Sequence, residues 1–105
     1  MSDYTEYSAP ELVRLLGIRF KDYRLLAKMT QKEVAETTGL TIPTIQRFEN
    51  GLSNNISLGT FLLLLKAVGC INGIDSLLPE QPESPYLYND KYQKAQRVRH
   101  KKTDK

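Results

Sequence analysis

Between Ile42 and Arg47 the chain sets out side chains suited to reading a flat, polar surface. Arg47 carries a planar fork of donors, and Gln46 carries an amide that both donates and accepts. Ile42, Pro43 and the methyl of Thr44 offer small apolar contacts beside them. At helical spacing Ile45 and Phe48 turn inward. Pro43, Gln46, Arg47 and Asn50 turn outward, flanked by Ile42 and Thr44. Such a face binds; it does not catalyse. His100 is the only histidine, and Cys70, the only cysteine, stands at a helix end with no evident base. Neither a phosphate-cradling glycine loop nor a metal-ligand spacing is present, so no catalytic residue, cofactor or metal is expected. Cys70 reads as a small buried apolar side chain.

The helix that carries this face is capped by Thr41, holds Pro43 in its first turn, runs to about Asn50 and stops at Gly51. Before it, Thr30 and Glu33 form a capping box for a short helix that ends near Thr38, with Gly39 in a C-cap position. Ala35 lets the two helices cross closely, and Val34, Leu40, Ile45 and Phe48 pin them together. These features fit an ordinary αα-hairpin as well as a DNA-reading helix-turn-helix.

The remaining signals complete an all-α chain of five helices. Ser8 and Glu11, with Pro10 between them, open a first helix over 9–28 whose apolar positions are Leu12, Leu16, Phe20, Tyr23 and Ala27. Gly17 weakens its first turns. Ser57 caps a fourth helix over 58–68, closed by Gly69, and a short fifth lies around Ile74 to Leu78, stopped by Pro79. In the fourth helix the five apolar residues from Phe61 to Leu65 wrap more than a turn and cannot all face one core. Ser57, Leu58, Phe61, Leu65 and Val68 suffice for the inner stripe. Leu63 and Leu64 are then surplus, and an exposed leucine patch marks a protein contact, here a dimer interface.

Charge divides the chain. Residues 1–85 hold 8 Lys/Arg against 10 Asp/Glu, and residues 86–105 hold 7 against 2. A domain over 9–78 is therefore expected to precede a flexible, proline-spaced linker and basic tail over 79–105, of a kind that favours polyanions. The longest apolar run is far short of the roughly 20 residues of a membrane span, and the acidic, polar opening is unlike a secretory leader. A cytoplasmic protein without a membrane partner is expected.

The run from Met29 to Gly51, MTQKEVAETTGLTIPTIQRFENG, resembles the phage-repressor (Cro-like, or XRE) helix-turn-helix family, with the likeness covering about 19–69. The resemblance implies a five-helix lambda-repressor-like domain, double-stranded operator DNA as partner, and a recognition helix in the major groove. In that frame the Arg47 fork suits guanine O6 and N7, Gln46 suits adenine, and Ile42, Pro43 and the Thr44 methyl suit thymine methyls. Gln31 would reach a phosphate through its side chain and the helix N-terminus, and Thr41, Asn50, Ser53, Asn54 and Asn55 would contact the neighbouring backbone. That loop is rich in amides rather than Lys/Arg, unlike the strongest members of the family, which leaves three readings of the basic tail open: added phosphate contacts, a protein contact, or neither. Arg24 and Glu49 occupy positions that form a partly buried, structural ion pair in similar domains.

The second half, NISLGTFLLLLKAVG over 55–69, then IDSLLPE over 74–80, Ser84-Pro85 and a basic end, resembles in layout the DNA-binding antitoxins of HipBA-type modules. The resemblance implies a bacterial, nucleoid-associated homodimer that represses its own operon and binds a kinase-fold toxin. A stand-alone XRE-type regulator is the alternative.

Overall fold

The computed structural model describes residues 3–82, and every regular element among them is helical. A 3-10 turn at Tyr4–Glu6 precedes α1 (Ala9–Leu26), α2 (Gln31–Thr38), α3 (Ile42–Glu49) and α4 (Leu58–Ala67). A second 3-10 turn (Ile71–Gly73) and the short α5 (Ile74–Leu77) follow. The chain divides into two units, one ending at Asn72 and one beginning at Gly73. In the second, α5 closes with the Leu78 N–H donating to the Ile74 carbonyl at 2.9 Å. The basic stretch 86–105, with DNA, a protein or no partner left open for it, lies outside the described residues.

The helix starts are set locally. The Ser8 hydroxyl accepts the Glu11 N–H at 3.2 Å while the Glu11 carboxylate accepts the Ser8 N–H at 2.7 Å. Thr30 and Glu33 repeat the exchange at 3.0 and 2.8 Å. Thr41 and Ser57 cap α3 and α4 through their hydroxyls at 3.3 and 3.0 Å. Each cap satisfies an N–H that helix geometry orphans and contributes about 1 kcal/mol.

Helix ends follow the backbone. α2 closes at Gly39, whose φ of +81° lies in the left-handed region that favours glycine. α1 stops at Leu26, before the predicted end at 28, although no glycine follows it. Lys28 adopts φ +58°. The Met29 N–H then donates to the Arg24 carbonyl at 3.2 Å and the Lys28 N–H to the Leu25 carbonyl at 3.0 Å. This is a Schellman ending, and it sends Met29 into the core.

That core comprises Phe20, Val34, Ile45, Phe48, Leu64 and Val68, with Val13, Met29, Ala35, Leu40, Ile56, Phe61, Ala67 and Cys70 packed against it. Phe48 is its centre, with ring centroids 5.8 Å from Phe20 and 6.4 Å from Phe61. Cys70 is half-buried at the end of α4.

Two helices present a different face from the one their apolar spacing predicts. On α1 the inner side runs through Val13, Gly17, Phe20 and Arg24, while Leu16, Tyr23 and Ala27 are exposed. Gly17 is the cause rather than a weak point. A Cβ there would collide with the Phe48 carbonyl oxygen and lie 2.9 Å from the Phe48 ring, so only glycine lets α1 pass this close to the end of α3.

On α4 the inner stripe is Phe61, Leu64 and Val68. Leu64, expected on the surface as part of a dimer contact, is 1% exposed, whereas Leu58, expected inside, is 70% exposed. Ser57 is also exposed, and Leu65 is half-buried. A run of near-identical leucines has no phase of its own. The edge-on contact of Phe61 with Phe48 sets the rotation, and that rotation carries Leu64 inward. Leu63 stays exposed.

Candidate nucleic-acid interface

α3 is held from behind and open in front. Ile45, Phe48 and Glu49 are buried, whereas Ile42, Pro43, Thr44, Gln46 and Arg47 are exposed. Only Gly39, Leu40 and Thr41 separate α2 from α3, and Val34, wholly buried, and Leu40 pack into the same core. The connection is thus too short and too well anchored for α3 to move independently of α2.

Beneath this face lies a buried polar network. The Arg24 Nε donates to Glu49 Oε2 at 2.6 Å and its Nη2 to Oε1 at 2.8 Å, a bidentate pair between α1 and α3. Arg24 Nη1 also donates to the Met29 carbonyl at 2.9 Å, tying down the turn into α2. The hydrogen bonds to Glu49 raise the Arg24 pKa above its ordinary value, against the opposing effect of burial. One guanidinium therefore joins α1, the α1–α2 turn and α3.

Gln31, the first residue of α2, joins the same network, its Nε2 donating to Glu49 Oε1 at 3.1 Å. The resemblance sends this side chain to a phosphate. In the structure it is half-buried, and one of its amide N–H groups is directed at Glu49.

At the start of α3 the Thr41 and Thr44 hydroxyls lie 2.8 Å apart, and Thr41 also caps the Thr44 N–H. This locks both side chains at the edge of the exposed face. Arg47 is exposed, with Nη2 donating to the Leu52 carbonyl at 3.4 Å, a long and therefore weak contact. Asn50 closes α3 through its backbone N–H to the Gln46 carbonyl at 2.9 Å and is exposed. In the following loop Ser53 is half-buried, and Asn54 and Asn55 are exposed.

One residue of this region was missed in the sequence. Arg14, in the first half of α1, donates from Nη1 to Asn54 Oδ1 at 2.5 Å. The two are 40 positions apart, and no spacing rule links positions so distant.

The helix-turn-helix family model matches residues 20–70, from the buried Phe20 of α1 to Cys70 after α4. No curated protein and no solved structure matches the chain significantly. A helix-turn-helix domain points to a DNA-binding transcription regulator, a class that is typically not enzymatic. Among the described residues no helix is long and apolar enough to cross a membrane.

Proposed function

We propose that this chain is a sequence-specific double-stranded DNA-binding repressor with α3 as its recognition helix. The observation that supports this reading is the two-sided character of α3, whose inner residues fix it to the core while Ile42, Pro43, Thr44, Gln46 and Arg47 stand in solvent. Arg47 reads guanine, Gln46 reads adenine and the apolar groups meet thymine methyls. The α2 N-terminus with the remaining N–H of Gln31, together with Thr41, Asn50, Ser53, Asn54 and Asn55, grips the flanking phosphates. Incubating the full chain with sheared genomic DNA and sequencing the retained fragments tests the reading. A shared motif upstream of genes supports it, and failure to retain any fragment at low salt defeats it.

The repressor acts as a homodimer, with Leu63 in the contact and two recognition helices about 34 Å apart on one face of the duplex. Sedimentation together with half-sites spaced by one helical turn tests this. The layout of residues 55–80 supports the narrower role of an autoregulatory antitoxin paired with a kinase-fold toxin, the stand-alone regulator being the alternative. Co-expression with a kinase-fold product of the adjoining gene, followed by co-purification, separates the two.

A further inference from the structure

We infer that Arg14 and Asn54 form one phosphate-binding unit, which extends the DNA contact beyond α2 and α3 to the first half of α1; the inference rests on the DNA-binding reading above. Arg14 Nη1 donates to Asn54 Oδ1 at 2.5 Å. A carboxamide carries its acceptor and its donors on opposite sides of a planar group. With Oδ1 turned toward Arg14, the two N–H donors of Nδ2 are turned away from it. The guanidinium has five N–H donors and no acceptor. The joined pair therefore satisfies its amide acceptor internally and presents donors and a full positive charge, the complement of a phosphate oxygen.

Place and charge both favour this use. Residues 50–57 follow α3 directly and contain no Lys or Arg. Arg14 supplies to that loop the cation its own sequence lacks. The Arg14 side chain is half-buried while Asn54 is exposed, so the stem is held against the domain and the paired tip remains accessible. Arg47 reaches the Leu52 carbonyl of the same loop, which makes the pair continuous with the exposed face of α3.

The experiment uses the full chain and a duplex that the wild-type protein has itself selected from random-sequence DNA. A failure of that selection defeats the DNA-binding reading, and the rest addresses Arg14 alone. Affinity is measured against salt for wild type, Arg14→Gln and Arg14→Lys, with thermal unfolding confirming that each is folded. Glutamine keeps a donor for Asn54 but removes the charge; lysine keeps the charge. Each neutralised phosphate contributes about 0.9 to the slope of log K against log salt. The expected result is a slope about 0.9 shallower for Arg14→Gln, a wild-type slope for Arg14→Lys, and the same selected sequence for both. A wild-type slope for Arg14→Gln overturns the inference and leaves Arg14 as a residue that only steadies the loop.

Discussion

Gly17 and Phe48 meet backbone to backbone, and the middle of α1 can approach the end of α3 only because position 17 lacks a Cβ. The same contact brings Arg24, two turns further along α1, onto Glu49. A residue that weakens a helix in isolation thus determines how two helices dock.

Gly17→Ala is expected to destabilise the domain by about 1–3 kcal/mol, the usual cost of forcing a group into a packed interior. Gly59 of α4 has nothing within 4 Å of where its Cβ would lie. Gly59→Ala should therefore stabilise by about 0.5–1 kcal/mol, the ordinary helix-propensity gain. Urea unfolding of both variants checks the contrast, and equal effects would remove the steric argument.

Removing one partner of the Arg24–Glu49 pair strands a buried charge. Glu49→Leu is expected to cost about 3–5 kcal/mol, and the double variant Arg24→Met, Glu49→Leu should recover most of it. Chemical unfolding of the single and double variants measures the recovery. A double variant as unstable as the single one would mean that the pair's other bonds, to Met29 and Gln31, carry the stability.

Leu64 and Leu63 separate core from surface on adjacent positions. Leu64→Ala should cost about 2–5 kcal/mol, while Leu63→Ala should change folding by less than about 0.5 kcal/mol. If Leu63 lies in the dimer contact, its effect should appear instead in the dissociation constant measured by sedimentation. Similar unfolding midpoints for the two variants would contradict the observed rotation of α4.

Glu11 makes the start of α1 sensitive to acid. Its bonds from the Ser8 N–H and hydroxyl hold its carboxyl below the ordinary glutamate range. A depressed folded-state pKa contributes stability above the unfolded value of about 4.3, and that contribution is lost as pH falls through the lower folded value. Thermal unfolding from pH 6 down to pH 3 should therefore show a steeper decline in wild type than in Glu11→Gln. Parallel curves would show that the Glu11 charge adds nothing measurable, since glutamine keeps the capping-box acceptor.

Arg47→Ala is expected to weaken binding to the selected duplex by about 1–3 kcal/mol and to relax the preference at one or two base pairs. Repeating the selection with the variant reads out both. An unchanged motif would move Arg47 from bases to backbone.

The helix starts were legible in the chain because a cap is a local event. Ser8, Thr30, Thr41 and Ser57 each bond an N–H three residues on, and that spacing is visible in a string of letters. The exposed face of α3 was legible too, because Ile45 and Phe48 are separated by charged and polar residues that fix the phase of the helix. The Lys28 ending was not, since nothing marks a lysine for the left-handed region until Met29 finds its place in the core.

The amino-acid order alone determined how many α-helices the described residues form, where they start and which side of α3 looks outward, since each depends on neighbours within a turn or two. Tertiary packing decided which flank of α1 and α4 is buried, that Gln31 turns to Glu49, and that Arg14 meets Asn54. Those outcomes depend on what another helix presents at close range. Periodicity sets how often a side chain returns to a face, but only the approaching surface selects the face.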